Sequence, residues 1–473
     1  MAEEVWMLQT KKADFKQIGA RFRIDPVTAR IIRNRGIEGE AAIDRYLNGT
    51  LDDLYDPMLL KDMERAVSIL CEAVDTGKKI RIVGDYDIDG VCSTYILLQA
   101  FERLGSDVDF EIPDRIKDGY GINESIIEQA HADGVEVILT CDNGISAFHQ
   151  VELAKKYGMT VVITDHHEVP LDGEKEKIPP ADAVIDPKQA DCPYPFPEIC
   201  GAVVAYKLVQ VLYARRGVPQ MEWLDLLEFA AIATVGDVMK LQDENRILVR
   251  EGLKRLHRTA NLGMRALILQ NQLTPEQITS YHIGFVLGPC VNASGRLETA
   301  KIALNLFLQK NEIDAGKIAK ELVELNAQRK SMTADGVELA KQIGCEKKQI
   351  IVGYRNDETF LKTEFEQNGE VYISTEDGSA GTKGNVMDAI RENGLEADII
   401  YACGPTPMLR AIKNYAEENG IECYISLEER MACGIGACLA CVCKTKEKDH
   451  HSNVHNKRIC KDGPVFLSTE VEI

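Results

Sequence analysis

The chain has 473 residues, 45% of them hydrophobic and 27% charged, and its 55 Lys and Arg stand against 75 Asp and Glu for a net charge of −20. Such a length holds two or three domains, and such acidity argues against a broad basic footprint for duplex nucleic acid. No apolar run approaches the about 20 residues of a membrane span, and no basic stretch followed by an apolar one opens the chain, so neither a membrane span nor a signal peptide is expected and the cytoplasm is the expected compartment.

Residues 1–75 read as helical, with Asp25-Pro26-Val27-Thr28 offering a cap and a proline in the first turn. From Lys79 the pattern alternates. Strands are predicted at 79–84, 108–111, 135–141, 160–164 and 183–186, with helices at 91–104 and 147–157 between them. Strands alternating with helices predict βαβ units and a mainly parallel sheet, and so an α/β fold. Apolar helices follow at 200–216 and 222–235, and a long polar helix at about 314–343. A second, smaller α/β unit begins near 349, with strands at 349–354, 370–374 and 398–402. Nine cysteines are scattered up to Cys423, and five more crowd into 433–460. Scattered cysteines in a cytosolic chain are mostly small core residues.

The first strand runs into Gly84-Asp85-Tyr86-Asp87-Ile88-Asp89-Gly90, the third into Asp142-Asn143-Gly144, and the fourth into Asp165-His166-His167. Open α/β sheets bind ligands at the carboxyl ends of their strands. Asp85, Asp87, Asp89, Asp142 and Asp165 offer hard oxygen ligands and His166 an imidazole. That set suits Mn²⁺ or Mg²⁺ better than zinc, and two ions sharing a carboxylate would activate water and clamp a phosphate. Thr234-Val235-Gly236-Asp237 places one more acid at the end of an apolar run. Arg250, Lys254, Arg255 and Arg258 could line a nucleic-acid track or form a solvated helix face, and the second is the expectation.

These motifs resemble those of the DHH phosphoesterases, and within that family the RecJ-type exonucleases specific for single-stranded DNA. Tyr194-Pro195-Phe196, Cys200-Gly201-Ala202, Asn292-Ala293-Ser294-Gly295-Arg296-Leu297 and Asn326-Ala327-Gln328-Arg329-Lys330 are similar to further segments of that family, so the likeness covers about 15–343. It implies a Mn²⁺- or Mg²⁺-dependent 5′ to 3′ exonuclease of DNA repair and recombination. Asp87, Asp89, Asp142, His166 and Asp237 would hold metal, with Asp85 at or beside them and His167 on the scissile phosphate. Arg296, Asn292 and Ser294 would bind substrate phosphate, a task for which the fixed fork of an arginine is well suited. In that family the long helix leads into a second domain with a GGH motif and then an OB-fold, and no GGH follows residue 344 here.

In the tail, Cys433, Cys438 and Cys441 are spaced by four and two residues, and Cys460 follows a longer excursion. This is the plant-ferredoxin spacing for a [2Fe–2S] cluster, with a four-cysteine zinc site as the alternative. The excursion between Cys443 and Cys460 reads as an exposed hairpin. The tail and the unit before it resemble the C-terminal part of the PyrK-type electron-transfer subunits of dihydroorotate dehydrogenase, over about 349–473. Cys403-Gly404-Pro405-Thr406-Pro407-Met408 is similar to their nicotinamide motif. Their flavin barrel does not precede the unit, which counts against FAD. Their first strand and glycine-rich loop are also missing, which counts against NAD.

The two resemblances divide the chain into a helical region (1–75), a DHH catalytic domain (76–312), a connecting helix (313–344), a partial ferredoxin-reductase-type nucleotide-binding unit (345–425) and a cluster domain (426–473). The leading expectation is a single-stranded-DNA phosphodiesterase with an appended iron–sulfur electron-transfer module. The alternatives are an electron carrier, partnered by a redox protein or a dihydroorotate dehydrogenase catalytic subunit, whose N-terminal domain is a passenger, and a protein that holds single-stranded DNA without cutting it.

Overall fold

The structure is a computed structural model that describes residues 11–114, 121–173, 175–342, 347–354, 359, 362–427, 442–446, 456–459 and 463–473. The chain forms two compact units, Met1–Arg329 and Lys330–Ile473, with the division falling inside the long helix Glu312–Gln342.

The first unit is built on a five-stranded sheet, all parallel. From edge to edge the strands are Val108–Glu111, Ile80–Val83, Val137–Cys141, Thr160–Thr164 and Ala183–Ile185. Ile80 lies opposite both Val108 and Val137, and Val162 lies opposite Ala183. The chain steps from Ile80–Val83 outward to Val108–Glu111 and then crosses back to Val137–Cys141, so the strand order reverses between the first and third strands. Both faces are covered, as an all-parallel sheet requires. Ile80, Ile82, Val137, Leu139 and Ile185 pack into the larger core with helices Met63–Thr76, Ile88–Arg103, Gly201–Arg216 and Leu227–Gly236. Val83, Ile138, Val161 and Ile163 turn to the other face, under helices Glu124–Ala132 and Phe148–Lys156. That alternation along strands apolar on both faces is the reason they read as continuous hydrophobic runs.

The N-terminal helices form a satellite around Ile32, Ile37, Ile43 and Tyr46. Asp25 caps Pro26–Asn34 by accepting from Val27 N and Thr28 N, as its position before a proline predicts. The helix expected at 222–235 is two helices, Gln220–Leu224 and Leu227–Gly236.

In the second unit, strands Gln349–Tyr354, Glu370–Thr375 and Thr382–Lys383 are parallel. Ile399–Cys403 runs parallel to Glu422–Ser426, which pairs antiparallel with Val465–Leu467. Helix Thr406–Asn419 buries Leu409, Ile412 and Ala416 with Ile425 and Phe466. Val442–Thr445 and Asn456–Arg458 pair antiparallel across the excursion read as a hairpin.

Candidate metal centre

Each acid or imidazole of the centre is set by the turn after a strand or by a helix end. Asp87 is the N-cap of Ile88–Arg103 and accepts from Asp89 N and Gly90 N at 2.9 and 3.1 Å. The turn is tight: a Cβ on Gly90 would lie 2.5 Å from the Asp85 backbone, which glycine alone tolerates. Asp89 is fully buried and accepts from Gly201 N at 2.7 Å and Ala202 N at 2.8 Å, the first N–H groups of helix Gly201–Arg216. Unpaired N–H groups at a helix start favour an anion there. Asp142 follows the third strand at a left-handed φ of 60°, and a Cβ on Gly201 would lie 2.7 Å from its Cβ. Asn143 donates to Val83 O and Cys141 O, clipping the first and third strands together where their order reverses.

His166 brings the segments together. Its Nε2 lies 3.1 Å from Asp142 Oδ1, 3.4 Å from Asp89 Oδ2 and 3.7 Å from Asp237 Oδ2. Three groups of donor atoms fall within 4.8 Å of one another: Asp142, His166 and His167; Asp89, His166 and Asp237; Asp85, Asp87 and Asp142. Asp142 belongs to two groups and His166 to two, so the groups form one continuous set.

Burial, and then the neighbouring carboxylates, raise Asp85, Asp87 and Asp142 above the usual carboxylate range. The same causes push Asp237 up to about 8. Burial lowers His166, keeping it in the neutral form that ligates metals. Among the described residues, nothing hydrogen-bonds to the buried Asp85 Oδ1 or His166 Nδ1. Crowded acids with orphaned atoms are costly unless a cation compensates them. The donor set, several carboxylate oxygens and an imidazole, fits a hard divalent ion.

Asp165 departs from the expectation that it is an oxygen ligand. Its Oδ2 accepts from Ile145 N at 2.9 Å, and its Oδ1 accepts from His166 N at 2.8 Å and lies 2.7 Å from His167 Nδ1. Burial raises its pKa, but the His167 charge and hydrogen bond outweigh that and bring it to about 2. Burial pulls His167 down, and Asp165 outweighs it, lifting the imidazole to about 9. Asp165 thus holds His167 rather than lying in any of the three donor groups.

Asn292 and Ser294, expected to bind phosphate, make contacts with the protein itself. Asn292 Oδ1 accepts from Ile88 N at 2.7 Å, and the buried Ser294 hydroxyl donates to Val291 O at 2.8 Å. Both brace the helix Gly288–Leu297 that carries the exposed Arg296. Arg250 donates to Leu47 O and Gly49 O, Lys254 pairs with Glu251 and Arg255 with Asp225, so this run is partly engaged in contacts with other segments of the protein. Cys403, Gly404 and Pro405 form the turn from strand Ile399–Cys403 into helix Thr406–Asn419. Cys433, Cys438, Cys441 and Cys460 lie outside the described residues.

Two residues near the centre were not singled out from sequence. Asp186 follows the fifth strand, is buried, and is pushed to about 8 by burial and then Asp165. The strand-then-acid pattern read at the other strands would have found it. Buried Asn245 donates to Glu198 O at 2.6 Å and Lys240 O at 3.1 Å, tying the loop after Asp237 to the one before Gly201. A polar residue inside a helical pattern gives no such signal.

Residues 79–234 match the family model "DHH family, N-terminal domain", and residues 428–472 match "Iron-sulfur cluster binding domain of dihydroorotate dehydrogenase B". The single-stranded-DNA-specific exonuclease RecJ of Bacillus subtilis is 36% identical over 352 residues, 73% of this chain and 43% of that protein. The electron transfer subunit of dihydroorotate dehydrogenase B (NAD(+)) from Fusobacterium nucleatum is 53% identical over 143 residues, 29% of this chain and 52% of that one. The chain spans about half the length of the curated relatives it matches. A crystal structure of exonuclease RecJ bound to manganese is similar with a TM-score of 0.54 and 30% identity, covering 66% of this chain and 80% of that one. On these matches the chain belongs to the DHH family as a RecJ-type member, joined to a dihydroorotate dehydrogenase B type iron–sulfur cluster binding domain.

Proposed function

We propose that this chain is a metal-dependent phosphodiesterase that hydrolyses single-stranded DNA from its 5′ end in repair and recombination, in the cytoplasm. The continuous donor set of Asp85, Asp87, Asp89, Asp142, His166 and Asp237 carries this reading. Asp87, Asp89, Asp142, His166 and Asp237 would hold two Mn²⁺ or Mg²⁺ ions, with Asp85 beside them. Bound there, the ions supply a nucleophilic water at neutral pH and neutralise phosphate charge. The remaining work falls to the protein. Asp165 holds Nδ1 of His167, whose pKa of about 9 keeps the ring cationic at pH 7 and able to donate to a phosphate oxygen. Arg296 grips a neighbouring phosphate. Gly201 N and Ala202 N fix Asp89 so that its carboxylate does not reorganise during reaction. The test is release of label from 5′-labelled single-stranded DNA by the anaerobically purified chain with Mn²⁺. Release that vanishes in Asp142→Ala supports the reading, and no release from folded, metal-loaded chain overturns it.

The match over residues 428–472 favours a second activity beside the first. In this reading the cluster is [2Fe–2S] on Cys433, Cys438, Cys441 and Cys460, and passes electrons to a redox partner such as a dihydroorotate dehydrogenase catalytic subunit. An EPR signal of a reduced [2Fe–2S] cluster tests it, and four-cysteine zinc overturns it. No helix among the described residues is long and apolar enough to cross a membrane.

A further inference from the structure

Tyr281 and Phe285 are 62% and 67% exposed, and their rings stack with centroids 4.9 Å apart at 29°. Large aromatic side chains ordinarily bury most of their surface, so a solvated pair held ring to ring needs a reason. The pair sits at a π-helical turn, Ile283–Leu287, which runs directly into helix Gly288–Leu297. Such turns are rare and concentrate at functional sites.

This segment runs past the metal centre. A Cβ on Gly284, between the two aromatics, would lie 3.7 Å from Val235 Cγ1, and Val235 precedes Asp237 by two residues. A Cβ on Gly288 would lie 3.4 Å from Ile88 Cδ1, and Ile88 stands between Asp87 and Asp89. Further along, Asn292 accepts from Ile88 N, a Cβ on Gly295 would lie 2.2 Å from Tyr86 O, and Arg296 is exposed. With a rise of about 1.5 Å per residue, Phe285 and Arg296 are about 16 Å apart along the segment. The rings stand at one end, the guanidinium at the other, and the carboxylate-bearing turns lie alongside the middle.

We propose that the Tyr281–Phe285 pair is a stacking platform for the nucleobases of the single strand whose backbone lies over the metal centre. The inference rests on the single-stranded-DNA reading above. Every base has a π face, so stacking holds a strand without regard to sequence, and a duplex, whose faces are already stacked, gains nothing. Between the rings lie His282, the buried Ile283 and Gly284, and the half-buried Val286 follows Phe285, so the two rings are the large exposed apolar side chains of this segment.

The experiment compares a fluorescein-labelled oligothymidylate with an abasic deoxyribose-phosphate strand of equal length, on the full chain with Ca²⁺ replacing Mn²⁺. Stacking predicts that the wild-type chain binds the base-bearing strand about tenfold or more tightly. The double variant Tyr281→Ala/Phe285→Ala loses that preference, and Tyr281→Trp keeps it. A double variant that retains the preference overturns the platform. So does a wild-type chain with no preference. Mn²⁺-dependent release of nitrophenolate from bis-p-nitrophenyl phosphate separates the two readings. With release intact and no base preference, only the platform falls. With neither strand bound and no release, the phosphoesterase falls as well.

Discussion

The candidate metal centre and the proposed cysteine ligands of the tail are drawn from the chain in opposite ways. The centre draws on turns at 85–89, 142, 166–167 and 237, each delivered by a different strand or helix, and several are tied to another element. Asp89 answers to Gly201 N and Ala202 N, Asn143 to the first strand, and Asn292 to Ile88 N. The tail draws its four cysteines from 433–460 alone. A site gathered from distant segments exists only when the sheet has closed the loops between them, so its ligands are pre-positioned. A local site closes short loops, and metal binding itself supplies much of the ordering.

The largest effect that would break this comparison is at the centre. Asp142 belongs to two of the three donor groups, so Asp142→Ala should lower Mn²⁺-dependent hydrolysis by well over the about 10- to 100-fold typical of a residue behind the ligands. The visible absorbance of the cluster should remain, since the two sets share no residue. Rates and absorbance measured on one preparation check both halves of the claim.

The first unit's rigidity can be probed through Glu228, which is buried, accepts from Thr259 Oγ1 at 2.6 Å, and is pushed by burial to about 7. Its folded pKa lies above its unfolded value. Between roughly pH 4.5 and 7 the native state therefore holds the extra proton, and stability falls as pH rises. The expected loss is on the order of 3 kcal/mol across that window. Glu228→Gln should flatten the fall in denaturant titrations, and an unchanged pH dependence would refute the assignment.

Asn245 sharpens the point that the centre depends on its frame. The loop it ties down contains Val238 at a φ of 57°, and Asp243 at 45° follows, positions that non-glycine residues rarely adopt. Asn245→Ala should raise the Mn²⁺ dissociation constant about tenfold, read by EPR of free Mn²⁺. Lys207→Met, which breaks the nearby buried pair with Glu244, should cost stability with little change in Mn²⁺ affinity. Equal shifts in both variants would make Asn245 merely structural. The smallest effect is expected for Cys438→Ser. It should abolish the cluster signal and leave hydrolysis within about twofold, as independent sites do.

Much of the sheet was legible because buried parallel strands are short apolar runs ending abruptly in Asp, Gly or His. Residues 160–164 agree with the strand Thr160–Thr164, and 108–111 with Val108–Glu111. The helix Glu124–Ala132, capped by Asn123, was not anticipated, since nine residues between two strands carry a weak periodic signal. Asp165 was legible as an acid at the site but not as the partner of His167, because both roles share one sequence pattern. Asn292 and Ser294 were legible as a motif, but the motif does not say which way a side chain turns.

By itself, then, the sequence determined the strand-end acids, the α/β alternation and the cysteine spacing, all of which are set by neighbouring residues and the period of one element. Only the tertiary structure decided which acids meet, because that depends on strand order. The reversal between Ile80–Val83 and Val137–Cys141 brings Asp85 beside Asp142 across 57 residues of chain, and helix Gly201–Arg216 turns its N-terminus onto Asp89. No local pattern records a contact that two distant segments make with each other.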